Sequence, residues 1–255
     1  MKVSVCMASF DRDPDVLRRT LESVCSQKPP FEFEVIVVDD GSEHGAPDVC
    51  GDFPVRYHRI ERPPVARSAS VAHNVAYRLA TGDIIIAQSD DVVHQQNDSI
   101  EVMCRLREEN QTSCFILATV LGCNEEGVPA SVYSGVWNGK LASSGRIRNR
   151  RLLPYFFLGA VYRKDVYAIG GDDEDFVTSG GQAFEDAWFG NCLMYGSGLT
   201  PVYTDKVLAY HIWHPSRTSR SKIRINSEVY DKKRIEAEVT GVWCSSGGPW
   251  EMTNA

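Results

Sequence analysis

Four short stretches carry side chains able to do chemistry. Asp90-Asp91 end the apolar run Gly82-Asp83-Ile84-Ile85-Ile86-Ala87. Adjacent carboxylates repel, so something must offset them. A turn does so through backbone hydrogen bonds, and an isolated pair is more often that. A hard divalent cation also does so, since Mg²⁺ and Mn²⁺ take oxygen ligands from one or two carboxylates and substrate phosphates. Asp39-Asp40-Gly41-Ser42 reads as a tight turn, or as a carboxylate that accepts from a base N–H or sugar hydroxyls. Glu185-Asp186 suit the first turn of a helix; equally, one of them could take a proton from a reacting hydroxyl. His211 and His214, in AYHIWHPSR, sit among aromatics as packing histidines do. As neutral imidazoles either would complete a carboxylate metal site.

The elements that must position these groups are legible as apolar runs. KVSVCMAS is a short buried strand, followed by Asp13-Pro14, a helix start with Asp as cap and Pro in the first turn. Leu17, Leu21, Val24 and Cys25 continue at helical spacing. EVIVVDDGS, PVRYHRI, GDIIIAQ and CFILATVLG read as further strands. A helix is predicted over 68–80 with Gly82 just past its end, and another after Asp98, which with Glu101 forms a capping box. VYRKDVYAIGG is a short strand running into a helix, and FEDAWFGNCLMYGSG is a helix. The stretch 215–255 is polar, basic and Gly/Pro-containing, with Trp243 and Trp250 as anchors. Strands alternating with helices predict an α/β doubly wound, mostly parallel sheet, in which ligands bind beyond the carboxyl ends of the strands. Ser9, Asp39-Asp40 and Asp90-Asp91 all stand at such ends.

The hydrophobic fraction of 43% supports a sizeable core, and the net charge of −7 argues against a protein that coats nucleic acid. Basic residues are nevertheless bunched in 140–164 and 217–234, either as solvated faces or as a site for an acidic ligand. The eight cysteines form no C-x-x-C and no zinc spacing. No run approaches a membrane helix, and the N-terminus turns polar too early for a signal peptide. The expected setting is cytoplasmic, which makes the sequons at Asn97 and Asn110 coincidental. Neither G-x-G-x-x-G nor G-x-x-x-x-G-K-[ST] nor G-x-S-x-G occurs, which excludes classical dinucleotide enzymes, P-loop NTPases and α/β-hydrolases. The sequence carries no signal for oligomeric state.

The chain resembles family 2 glycosyltransferases of the GT-A fold over about residues 2–215. The resemblance rests on VSVCMASFDR, EVIVVDDGS, HNVAYRLATGDIIIAQSDD, FFLGAVYRKDVYAIGG and FEDAWFG. It implies a Rossmann-like mixed, mostly parallel sheet flanked by helices: one domain with a C-terminal acceptor-side region. Residues 1–123 would form the nucleotide-sugar half, 124–214 the acceptor and catalytic half, and 215–255 a lid or tail. Ala8, Ser9 and Phe10 would line the nucleotide pocket, and Asp40 would bind the base, uracil for a UDP donor. Asn74 would lie near the donor, with Arg67 a substitute for the family's preceding Arg, replaced here by His73. Asp90 would face the ribose or sugar. Asp91 and His211, with His214 the other histidine to consider, would hold Mn²⁺ or Mg²⁺. Arg217 or Arg220 would clamp the diphosphate. Asp186 would be the catalytic base, with Glu185, Gly159 and Trp188 on the acceptor side.

The implied reaction is inverting transfer from a nucleotide-sugar donor to a hydroxyl of a glycan, lipid-linked sugar or protein, or of a modified base in DNA. Two rival classes rank lower. A sugar nucleotidyltransferase would want a Gly-rich, basic loop after the first strand, and ASFDRDPD has no glycine. A non-catalytic binding module would have no need of Asp186.

Overall fold

The computed structural model describes residues 1–61, 68–110, 113–138, 140–141, 153–178, 183–215 and 219–252. In chain order it begins β1 (Lys2–Ser9), α1 (Pro14–Cys25), β2 (Glu32–Asp39), α2 (Ala46–Gly51), β3 (Arg56–Arg59) and α3 (Ser70–Leu79). Then come β4 (Ile84–Ser89), β5 (Val92–His94), α4 (Ser99–Glu109), β6 (Cys114–Cys123), β7 (Pro129–Ser134), β8 (Val136–Trp137) and β9 (Lys140–Leu141). The chain continues with β10 (Leu158–Tyr162), α5 (Arg163–Ile169), α6 (Asp175–Thr178), α7 (Glu185–Asn191), β11 (Thr200–His211) and α8 (Arg220–Thr240). A π-helical turn, Cys192–Gly196, extends α7.

One sheet holds the strands in the order β3-β2-β1-β4-β10-β6-β11-β5, with β7 also on β6. Around β1 the ladders are parallel, as the βα alternation predicts. Ser9 stands beside Asp39 and Ala8 beside Ser89, so this register delivers Asp40 and Asp90 to the same edge. Past β4 the direction changes: β10 is antiparallel to both β4 and β6. The sheet is therefore mixed, and it runs through both expected halves of the chain.

Helices cover both faces because the central strands are apolar on both sides. Val3, Val5 and Met7 of β1 join Leu17, Leu21 and Val24 of α1 in one core. Cys6 and Ala8 face the other, with Ala72, Ala76 and Tyr77 of α3 and with Trp188, Phe189 and Tyr230. The start of α1 is as expected: Asp13 accepts from the N–H groups of Asp15 (2.9 Å) and Val16 (3.3 Å).

Several local expectations change. Asp98 does not cap α4; its backbone sits at φ −122°, ψ 12°, and its side chain makes no cap hydrogen bond. A first-turn donor, the Ile100 N–H, goes instead to Gln27 Oε1 at 2.9 Å. Gly82 is not a helix stop. A Cβ there would lie 2.6 Å from the Ser4 nitrogen, so glycine is required for the close pass over β1. The stretch after 215 contains a helix of 21 residues, α8. Only Asn226, Tyr230 and Ala237 of it are buried, too sparse a stripe to show as a periodic pattern. The expected anchors do pack: Trp243 stacks on Trp188 at 5.5 Å, and Trp250 meets Tyr167 at 5.3 Å under the Arg78 guanidinium. All eight cysteines are free thiols, and no described helix is long and apolar enough to cross a membrane.

Candidate active site

The turn between β4 and β5 carries the paired acids, 5% and 3% exposed. Gln88 braces it, donating to the Val92 carbonyl at 2.8 Å while its Oε1 meets His94 Nε2 at 2.9 Å. Burial pushes the His94 imidazole down to about 4, so it serves this brace as a neutral ring.

Asp90 accepts from Ser9 Oγ (2.8 Å) and from Arg12 Nε (2.9 Å). Arg12 Nη2 bridges the two acids, 2.8 Å from Asp90 Oδ1 and 2.8 Å from Asp91 Oδ2. That same Asp91 oxygen faces His214 Nε2 at 3.0 Å and His211 Nε2 at 3.3 Å. Pairing of β11 with β5 brings the histidines here, setting His211 beside Val92. The environment separates the two acids. Burial, with Asp91 adding to it, raises the Asp90 carboxyl despite Arg12. Burial opposes ionisation of Asp91 as well, but His214, His211 and Arg12 hold it below the usual carboxylate range.

Asp91, His211 and His214 offer ligand atoms within 4.8 Å of one another. Asp91 Oδ1 is buried with no hydrogen-bond partner among the described residues. A spare carboxylate oxygen beside two imidazoles suits a divalent ion of the Mn²⁺ type better than Mg²⁺, which prefers oxygen throughout.

Two joined cavities open on this turn. A cleft of about 140 Å³ contains Ala8, Ser9, Phe10, Asp40, Ala72 and Asp90. Asp40 lines it, whereas Asp39 points elsewhere, accepting from Ser42 Oγ and from the Tyr57 hydroxyl at 2.6 Å. The larger cavity, about 580 Å³, is lined by Asp90, Asp91, His211 and His214 and also by Glu185 and Asp186. Its volume is that of an ordinary small-molecule site. Tyr133, Tyr155 and Phe157 add aromatic surface.

The second acid pair opens α7, and its approach is strained: Ala183 and Phe184 are both left-handed, at φ 69° and 73°. Such geometry in residues that are not glycine persists where it aims something, here the first turn of α7. Asp186 Oδ1 accepts from the Ala187 N–H at 2.8 Å. Burial, reinforced by Glu185, pushes the Asp186 carboxyl well up, and burial lifts Glu185 to about 6. Nearby, His73 Nδ1 meets Asp172 Oδ2 at 2.8 Å. Burial pulls that imidazole down, but the Asp172 contact outweighs it and raises it overall.

Glu185 supplies a stability prediction. An unfolded chain releases this proton near 4.5, the native protein near 6. Between those values the native state holds more protons, so stability falls as pH rises and stays lower above 6. Glu185→Gln is expected to stabilise the fold by about 1–2 kcal/mol at pH 7.5 and by almost nothing at pH 4. Urea unfolding at the two pH values checks this; equal effects at both would refute it.

The structure thus brings Ala8, Ser9, Phe10, Asp40 and Asp90 into one cleft, and Asp90, Asp91, Glu185, Asp186 and His211 into the adjoining cavity. Three expected contacts do not line either. Asn74 is 1% exposed, its amide bonded to the Asp172 carbonyl (2.9 Å), Glu174 (2.8 Å) and the Asp172 N–H (2.8 Å), so it ties α3 to the loop after α5. Trp188 is 2% exposed, packed inside the core. Gly159 lies in β10, where a Cβ would be 2.9 Å from the Ile116 carbonyl; it lets the strands approach. Arg67 and Arg217 lie outside the described residues. Arg12 and Tyr133 were not anticipated. Arg12 closes the VSVCMASFDR stretch without a role assigned to it, and Tyr133 had no signal at all.

A mixed sheet with an acid-lined cleft at the carboxyl ends of its parallel strands defines a GT-A architecture. Residues 4–168 match the model for glycosyl transferase family 2, most of the chain, and the chain belongs to that family. Among curated proteins it is 28% identical over 138 residues to a poly(ribitol-phosphate) beta-glucosyltransferase of Bacillus spizizenii, covering 52% of this chain and 21% of that one. It is 32% identical over 119 residues to the uncharacterized glycosyltransferase YfnE of Bacillus subtilis, covering 45% and 29%. The chain spans less than a third of the length of these relatives. Among solved structures, S. aureus TarS with UDP-GlcNAc shares the fold at TM-score 0.65 and 17% identity, covering 93% of this chain and 66% of TarS. The Pyrobaculum calidifontis mannosyltransferase PcManGT with GDP-Man and Mn²⁺ gives 0.58 and 15%, covering 94% and 62%.

Proposed function

We propose that the protein is an inverting glycosyltransferase that moves a sugar from a nucleotide-sugar donor, UDP-linked by preference, to a hydroxyl acceptor. The observation that carries this reading is a single cavity lined both by the Asp90-Asp91 turn with two histidines and by the Glu185-Asp186 pair. Support for a nucleotide-sugar donor comes from the fold shared with TarS in its UDP-GlcNAc complex. The adjoining cleft takes the nucleoside, with Asp40 accepting from the base N–H and Asp90 directed at the ribose or sugar.

Asp91, His211 and His214 would hold a divalent ion, Mn²⁺ or Mg²⁺; PcManGT carries Mn²⁺. Such an ion offsets charge on the leaving diphosphate. Asp186 takes the proton of the incoming hydroxyl. The hydroxyl attacks opposite the leaving group, so the anomeric centre inverts and no covalent intermediate forms. Residues 1–123 then serve the donor, and 124–214 the acceptor and catalysis. An acceptor hydroxyl on DNA gains no support from the relatives named above.

A thermal-shift panel of nucleotide sugars, with and without Mn²⁺, tests the reading. A UDP-sugar is expected to raise the melting temperature more than its GDP or ADP counterparts, and more with Mn²⁺ than without. No shift with any nucleotide sugar would refute it.

A further inference from the structure

Arg12 sits where three clefts meet. It lines the nucleoside cleft, the larger cavity, and a third cleft of about 460 Å³ bounded by Asp11, Asp13, Glu43 and His44. Its loop is pinned on both sides. Asp11, left-handed at φ 43°, donates its N–H to Ser42 Oγ at 2.8 Å and accepts from the Glu43 N–H at 2.8 Å. Asp13 caps α1. The guanidinium is therefore held over the acid pair, its fork spanning Asp90 Oδ1 and Asp91 Oδ2.

Its Nη2 lies on the one Asp91 oxygen that both histidines also face. An ion drawing on that oxygen and the two imidazoles would stand against the half-buried like charge of Arg12, which would have to give way. A planar guanidinium released beside a nucleoside cleft is well matched to a diphosphate, which it binds through two parallel hydrogen bonds.

We propose that Arg12 is a donor-binding residue with two positions: it neutralises Asp90 and Asp91 while the site is empty, and turns to the donor diphosphate when a divalent ion takes Asp91. The proposal rests on the glycosyltransferase reading above and gives a role to Arg12, which stands in the VSVCMASFDR stretch without one. It requires opposite effects of one substitution. Without Arg12 the ion meets no competitor, and the diphosphate loses a partner.

Mn²⁺ alone is titrated into the wild type, Arg12→Met and Asp91→Asn, following loss of the free-ion signal by electron paramagnetic resonance. UDP and uridine are then titrated in the presence of Mn²⁺. Arg12→Met is expected to bind Mn²⁺ about tenfold more tightly and UDP about tenfold more weakly, with uridine unchanged. Arg12→Lys keeps the charge without the fork, so it should weaken UDP while leaving Mn²⁺ near wild type; it stands in if Arg12→Met does not fold. Mn²⁺ binding by Arg12→Met equal to or weaker than wild type overturns the proposal, as does equal loss of uridine and UDP. If wild type binds Mn²⁺, Asp91→Asn does not, and Arg12→Met matches wild type, Arg12 is misassigned while the metal reading stands. If no protein binds Mn²⁺, both fall.

Discussion

Asp186→Asn is expected to lower sugar transfer by about a thousandfold while leaving donor binding near normal, within the range that a positioned general base contributes. Asparagine has nearly the same shape, and its Oδ1 can still accept from the Ala187 N–H, so the first turn of α7 is preserved. What it lacks is a lone pair able to take a full proton. The variant should also be more stable than wild type at neutral pH, because burial and Glu185 penalise a charge at this position. Lost turnover with unchanged donor affinity and a higher melting temperature would separate a catalytic defect from misfolding. Turnover and donor titrations measure both; near-normal transfer by Asp186→Asn would move the role to Glu185.

Asp91→Ala is the second large effect. It removes the one carboxylate that Arg12, His211 and His214 share, leaving three cationic or basic groups around a gap. Mn²⁺ binding should be lost, and turnover should fall at least a hundredfold, roughly the loss of several kcal/mol of charge stabilisation. Excess EDTA should do the same to the wild type, reversibly on adding Mn²⁺. Asp91→Asn, which keeps the oxygen but not the charge, should fall between the two. Full turnover in EDTA would exclude the ion from the reaction.

Much of this site was legible before any fold was built. Ser9, Asp40 and Asp90 end apolar strands, and parallel pairing necessarily gathers such ends on one edge. Asp186 was legible from its motif. Sequence patterns failed where positions depend on tertiary packing. Thr200–His211 forms a strand interrupted by a bulge between Thr204 and Leu208, so no alternation marks it. The helix from Arg220 buries three side chains and shows little periodicity. Arg12 is notable only because a capped helix and a left-handed Asp11 hold it over acids nearly eighty positions away, |i−j| being 78 for Asp90. Asn74 lies in a recognisable motif, yet its amide is engaged with a loop about a hundred residues on, |i−j| being 98 for the Asp172 carbonyl, which no local pattern encodes.

The wide separation of Asp91 from His211 and His214 bears on the order in which the pocket is assembled. The smaller cleft draws on residues up to Asp90, within a run of neighbouring βα units. Asp91 and His214 are 123 positions apart, joined only once β11 has zipped between β6 and β5. Closing so long a loop comes late, because its entropy must be met before the contacts at its ends contribute. The two histidines are therefore expected to reach Asp91 only after β11 has paired with β6 and β5.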